Sequence, residues 1–328
     1  MIQPLMGGER ANVGRQPSQA EVSGGGGWLL VVRVGWIVLT LLLLALTIIA
    51  IPRADALFQS ICQPGTPCFG VQLAPADLQR LRQLGISPAL LATYQVAWDV
   101  VTVLIDTLLA ALIFWRRSHD RMALFCAYVL VLMGAATYTT LLDYGLRPLG
   151  SFWYWPVGVL EVLGLTALLV FFMVFPRGVF LPRWTFWLVP VALLSEIHYV
   201  FFTDPLQAAK NGPYDFLAFT ILIFINIGLQ VYRYRRISTA VERQQTKWVV
   251  FGFTLAMLGY IVTFTLEHTF FSEQTVASPI FQVLITTTLS YGFLLLIPIS
   301  IAIAILRSRL YDIDILINRT LVYGSLSA

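Results

Sequence analysis

The sequence predicts an all-α polytopic integral membrane protein, with eight transmembrane helices and both termini in the cytoplasm. Composition is the first reason. The 328 residues are 58% hydrophobic and only 12% charged, with a mean hydropathy of +0.79. Soluble domains run at roughly half apolar and about a quarter charged. A chain this apolar cannot cover its own surface in water, so lipid is its solvent. The second reason is that the apolar residues fall in eight runs, each near the roughly 20 residues that cross a hydrocarbon core of about 30 Å. The third is the distribution of the 21 Lys and Arg. Fifteen lie in one set of loops, among them Arg116, Arg117, Arg121, Arg177, Arg233, Arg235, Arg236 and Lys247. Five (Arg53, Arg80, Arg82, Arg147 and Lys210) lie in the other set, and Arg33 lies just inside the first run. Cytoplasmic loops hold the excess of positive charge, which fixes the orientation.

Residues 1–27 are polar, end in Gly24–Gly27 and read as a flexible cytoplasmic tail. The membrane domain is residues 28–306. Its first run, Trp28–Ile51, is too long for the roughly 7–15 residues of a signal peptide's apolar core, which makes it a retained span. The others are Val96–Trp115, Met122–Leu142, Tyr154–Phe175, Thr185–Phe202, Phe216–Tyr232, Trp248–Glu267 and Phe281–Leu306. Tryptophans at span ends, such as Trp28, Trp115, Trp155 and Trp248, fit the interfacial aromatic belt. The Tyr232–Lys247 stretch reads as a basic loop facing anionic lipid headgroups. Residues 307–328 follow the last span as a charged cytoplasmic segment and the start of a further apolar run.

The one sizeable outer loop is residues 52–95. Pro64, Gly65 and Pro67 between Cys62 and Cys68 favour a turn that brings the thiols together. An oxidising outer compartment permits the bond. Closing so short a loop contributes about 2–2.5 kcal/mol in the chain-entropy account, and two unpaired thiols are the alternative. Pro75 suits a first helical turn, Leu78, Leu81 and Leu84 recur on one face, and Gly85 suits the stop. Ser87 and Pro88 restart a helix as N-cap and first position. Cys126, inside a span, reads as a small packing residue.

Ionisable groups inside spans are costly and tend to be functional. Asp99, Thr102 and Asp106 share one face of the second span, at offsets of three and seven. Glu161 lies in the fourth span, Glu196 and His198 in the fifth past a kinking Pro190, and Glu267 and His268 close the seventh. They are candidates for one water-accessible ligand pocket open to the outside; the alternative is a set of separately satisfied polar groups. His119, His198 and His268 lie in different segments and do not have metal-ligand spacing, so no metal or cofactor is expected. The chain has no phosphate-binding G-x-x-x-x-G-K-[ST], no H-E-x-x-H and no G-x-S-x-G. His119 sits in a short turn, whereas a phosphoacceptor histidine needs a long exposed helix. The net charge of +4 is spread through membrane loops, so no nucleic-acid partner is implied.

Three ordered motifs carry a resemblance. The last span contains Pro298 and runs into Arg307-Ser308-Arg309-Leu310, then Asp312-Ile313-Asp314 and Ile317-Asn318-Arg319-Thr320-Leu321-Val322-Tyr323-Gly324. Phe175-Pro176-Arg177-Gly178 with Leu181-Pro182-Arg183-Trp184, and Glu242-Arg243-Gln244-Gln245 with Lys247-Trp248, precede it. Together these resemble the multi-pass sensor modules of bacterial membrane histidine kinases, including the competence-type quorum-sensing kinases. Ser308, Arg177 and Val179 stand where that family's pattern has Tyr, Asp and Arg. The first half of the chain resembles the family only in its helix pattern and cysteine-bearing outer loop. The resemblance implies a sensor and transmission module in the bacterial cytoplasmic membrane. It would answer an unidentified stimulus ligand and pair as a homodimer through a kinase domain that is not in this chain. Membrane lipid is its other partner. Phosphorylation would belong to that missing domain. Pro298, Arg307, Arg309, Asp312, Asp314, Asn318 and Arg319 would carry the signal out of the membrane. A small-molecule transporter or channel is the rival class, expected to show internal repeats and paired broken helices.

Overall fold

A computed structural model of the chain describes residues 19–62, 72–73, 75–83, 85–202, 208–270 and 282–306. The exit segment with Arg307, Arg309, Asp312, Asp314, Asn318 and Arg319 lies outside the described residues, as does Cys68. The described chain is helical, apart from short turns and one isolated bridge between Ile61 and Leu73. Seven helices are long and apolar enough to cross a membrane, and eight if one bent pair counts as a single span. This is the architecture of a multi-pass membrane protein.

Helix α1 (Gln19–Gln59) starts before the apolar run and takes in Gly24–Gly27 of the expected tail. Once a long helix is nucleated, each added residue gains a hydrogen bond, so propagation outlasts the apolar signal. Its lipid-facing side is a row of exposed residues including Leu30, Val34, Ile37, Leu41 and Ile48. A short helix, α2 (Pro75–Gln83), covers one end of the bundle. Leu73, just before it, is tied to the residues after α1: Cys62 N–H bonds Leu73 O (2.9 Å) and Leu73 N–H bonds Ser60 O (3.2 Å). Leu73, Leu81 and Leu91 bury together there, with Ile86 and Leu284 against them. Gly85 ends α2 with φ +68°. Cys62 is disulfide-bonded and Cys126 is a buried free thiol.

Helix α3 (Pro88–Arg117) begins as its sequence signals require: the Ser87 side chain accepts from Leu90 N–H, and Pro88 fills the first position. Asp120 then caps α4 (Arg121–Leu132) through Met122 N–H at 2.8 Å. The third span is not one straight helix. After α4 the chain widens into a π-turn, Met133–Thr137, and α5 (Leu141–Leu146) resumes at an angle, the two arms bent by 50°. Tyr138 N–H bonds back five residues to Met133 O, and Thr139 Oγ1 bonds Ala135 O. Thr140 N–H leaves the helical ladder altogether, for a side chain of α3. Hydroxyl residues that compete for the backbone are the local reason for the break.

Helix α6 (Ser151–Val174) is the centre of the bundle, with 61% of its apolar window enclosed against 22% for the span that ends in α7. Phe171, Phe172, Leu168 and Leu169 are fully buried on it. A 3-10 turn, Arg183–Trp187, leads into α7 (Leu188–Phe202). Pro190 therefore sits in the first turn of α7, where its missing N–H costs nothing, rather than kinking a longer helix. Helices α8 (Ala208–Arg236) and α9 (Ala240–Phe270) outrun their apolar cores and meet at a three-residue turn, residues 237–239, so the expected basic loop is mostly helix. The last span, Leu284–Leu306, is one helix with local irregularities. A π-turn (Gln282–Thr286) precedes α10 (Thr287–Leu294), Leu295 forms a turn, and α11 (296–306) continues. Pro298 lacks the N–H that would bond Leu294 O, and its ring crowds that carbonyl. The turn falls where that geometry puts it.

Candidate functional site

The interior of the bundle carries a polar cluster built on α3. Gln95, Asp99, Thr102 and Asp106 line one face, at spacings of four, three and four. Asp99 is fully buried. It accepts from Thr140 N–H at 3.3 Å, Thr140 Oγ1–H at 2.8 Å and the Tyr291 hydroxyl. Gln95 Nε2–H donates to the Tyr291 oxygen at 3.2 Å, and Thr287 Oγ1–H donates to Gln95 Oε1 at 3.0 Å. Tyr94 and Thr288 form a further hydroxyl pair. These bonds tie α3 to the α4–α5 break on one side and to the last span on the other. A buried network with every member satisfied rigidifies the elements it joins.

One turn and a half along α3 the chemistry changes. Asp106 and Thr102 are each 1% exposed, and neither Asp106 oxygen nor Thr102 Oγ1 has a hydrogen-bond partner. The Tyr138 hydroxyl, within electrostatic reach of Asp106, is equally unpartnered. Gly134 of the π-turn approaches so closely that a Cβ there would lie 2.5 Å from Asp106 Cβ and 2.6 Å from Oδ2.

A third group surrounds Arg147, which follows α5. Its guanidinium lies 2.8 Å from Asp143 and 3.5 Å from Glu161, and stacks 5.1 Å above the Tyr154 ring. Asp143 Oδ1 has no aligned hydrogen bond, so its tie to Arg147 is a charge contact. Tyr144 is within electrostatic reach of Asp99, Asp143 and Glu161, and Tyr199 of Glu161 and Glu196. Tyrosines thus interleave the carboxylates from Asp99 to Glu196. Glu196 is buried on α7, whereas His198, two positions on, is exposed beside Phe202. Glu267 and His268 lie in the last turn of α9, and their side chains are outside the described residues. No group of three His, Cys, Asp or Glu side chains arranged to hold a metal occurs among the described residues.

At the opposite end the two connector motifs meet. Arg233, 3% exposed, sends its guanidinium to the carbonyls that end α6. Nε–H bonds Leu181 O at 2.6 Å, Nη1–H bonds Phe175 O at 2.9 Å and Phe172 O at 3.3 Å, and Nη2–H bonds Met173 O. Gln230 Nε2–H also reaches Phe172 O. A cation here satisfies orphan carbonyls and opposes the negative end of the helix dipole. Arg177 holds Glu242 with two parallel bonds, 2.6 and 2.8 Å, and reaches Ile237 O at 3.2 Å. Glu242 also accepts Thr239 N–H at 2.8 Å, and Thr239 Oγ1 accepts Glu242 N–H at 3.4 Å, a capping box that starts α9. The Arg177 hydrogen bonds push the Glu242 carboxyl down to about 2. Arg177, which replaces an Asp in the resembling family's pattern, therefore makes an ion pair of its own. Arg33 ties α1 to the same end through Ser118 O at 3.1 Å.

The sequence singled out Asp99, Thr102, Asp106, Glu161 and Glu196 and missed Thr140, Tyr291, Arg147, Tyr144 and Arg233. An acidic residue four positions before a cation, as in Asp143–Arg147, was the one readable signal among those. Comparison with protein-family models, with curated proteins and with solved structures finds no match to this chain.

Proposed function

We propose that the chain is the membrane sensor and signal-transmission module of a bacterial two-component histidine kinase, with both termini cytoplasmic. It detects an extracytoplasmic or intramembrane stimulus and passes it to an output domain outside this chain. The observation that carries the reading is the Asp99 network. One carboxylate joins α3, which follows the outer loop, to Thr140 at the α4–α5 break and to Tyr291 on the last span. Transmission needs an element with two arrangements that the stimulus biases. The last span, irregular at Leu295 beside Pro298, is such an element, and it leads into the segment that resembles the kinase exit motif. The test is a chimera with a cytoplasmic kinase domain restored after residue 328. Tyr291→Phe and Pro298→Ala should shift basal autophosphorylation while membrane insertion stays unchanged. Unchanged basal and stimulated activity in both variants would leave the network a purely structural tie. Reporter fusions at Gly70 and Thr239 check the orientation, and a cytoplasmic signal at Gly70 reverses it.

The transporter reading has one specific support. One span, α4–α5, is broken, and its break lies against the Asp99 carboxylate of α3. Solute uptake into proteoliposomes that is lost in Asp99→Asn would favour it.

A further inference from the structure

We propose that Asp106, with the Thr102 and Tyr138 hydroxyls, is a binding site for a monovalent cation, a proton or Na+. The reasoning starts from what is missing around the carboxyl. Asp106 is 1% exposed and neither oxygen has a hydrogen-bond donor. A bare carboxylate in such a place costs many kcal/mol and does not persist. No arginine, lysine or histidine pairs with it among the described residues. The polar groups nearest along the fold are Thr102, one turn back on the same face of α3, and Tyr138 at the α4–α5 break, within electrostatic reach of Asp106 and of Tyr260 on α9. Asp99, seven positions away, is committed to Thr140 and Tyr291. Asp106 therefore has two unpartnered hydroxyl residues near it in the fold and no cationic side chain paired with it among the described residues. A small cation completes that chemistry, because it neutralises the carboxylate that burial penalises.

The local backbone is shaped around the carboxyl. The π-turn Met133–Thr137 brings Gly134 onto Asp106, where any side chain would collide with Cβ and Oδ2. π-turns inside membrane helices recur at functional positions because they redirect backbone groups. The turn leads directly into the break that presents Thr140 to Asp99. Occupancy at Asp106 is in this way mechanically linked to the neighbouring network. The site goes beyond the sensor assignment, since it follows from α3, the π-turn and the α4–α5 break alone and holds whatever the output is.

Infrared spectroscopy of the full chain in lipid nanodiscs tests it, in NaCl and in choline chloride over a neutral-to-alkaline pH series. With a proton bound, a protonated-carboxyl band is present in both salts and vanishes in Asp106→Asn. With Na+ bound, the band appears in choline chloride and converts to a carboxylate band when NaCl is added. Tyr138→Phe keeps the carboxyl and should shift the band in either case, which covers the event that Asp106→Asn does not accumulate. A carboxylate band from Asp106 that persists in choline chloride at neutral pH would overturn the site, because the group would then be ionised with no cation. So would a band unmoved in Tyr138→Phe.

Discussion

Asp99 and Arg233 meet the same need with opposite charges. At the α4–α5 break a backbone N–H has left its ladder, and Asp99 collects it together with two hydroxyls. At the end of α6 the carbonyls have run out of ladder, and Arg233 collects four from Phe172, Met173, Phe175 and Leu181. Both side chains are buried, and both carry bonds to groups far away in sequence. In lipid an unsatisfied backbone group costs several kcal/mol, so a break in a helix needs a dedicated partner. The difference lies in what each side chain connects. Arg233 binds the termini of rigid helices and holds one end of the bundle shut. Asp99 joins three helices across the bundle: its own, the broken α4–α5 span and the irregular last span.

The largest expected effect is at Arg233. Arg233→Ala leaves four carbonyls without their donor, three at the end of α6 and Leu181 O in the connector, and should cost about 3–5 kcal/mol of stability, read as a drop in melting temperature in detergent micelles. Arg233→Lys should recover little of it. An ammonium is a point donor and does not span carbonyls that a planar guanidinium reaches together. Full rescue by Lys would show that charge alone, and not the fork, closes this end.

Asp99→Ala should cost less, about 2–3 kcal/mol, because two of the stranded donors are hydroxyls free to rotate to other acceptors. Asp106→Asn is its control. It breaks no hydrogen bond made by the carboxyl among the described residues, so its loss of stability should be smaller than that of Asp99→Ala. Equal losses at the two positions would break the distinction between a carboxyl that hydrogen-bonds the break and one that packs against it without a hydrogen bond.

The comparison also explains what was legible in the sequence. Apolar runs located the spans, since lipid demands their length and composition. Helical spacing put Asp99, Thr102 and Asp106 on one face, and Ser87-Pro88 marked the start of their helix. These are local signals. The partners are not local. Thr140 lies 41 positions from Asp99 and Tyr291 lies 192 away, and neither contact has a signature in its own segment. Met122–Leu142 reads as one continuous span, because nothing in Gly134–Thr140 says that Thr140 N–H will find a better acceptor across the bundle. The same blindness hid Arg233. A basic residue at a span end satisfies the positive-inside pattern whether it meets headgroups or carbonyls, and only packing decides.

The smallest expected effect lies on the exposed layer outside Arg233, and pH reaches it. Glu242 has its carboxyl pushed down to about 2, first by the Arg177 hydrogen bonds and then by Thr239 N–H and hydroxyl. A carboxyl whose folded value is depressed contributes stability that is complete above its ordinary value, near 4.5, and is lost as pH falls through the folded value. The connector should therefore hold unchanged from neutral pH to about 4.5 and loosen between there and about 2. Arg177 is largely in solvent, so screening keeps the whole effect small. Hydrogen exchange at the first turn of α9 is the measurement with enough resolution, since the capping box protects those amides directly. Acidification through this window should speed their exchange in the wild type. In Arg177→Ala the window should narrow and move upward, toward 4.5. Exchange that ignores pH throughout would mean that Arg233 alone closes this end of the bundle, and that the two connector motifs touch without holding one another.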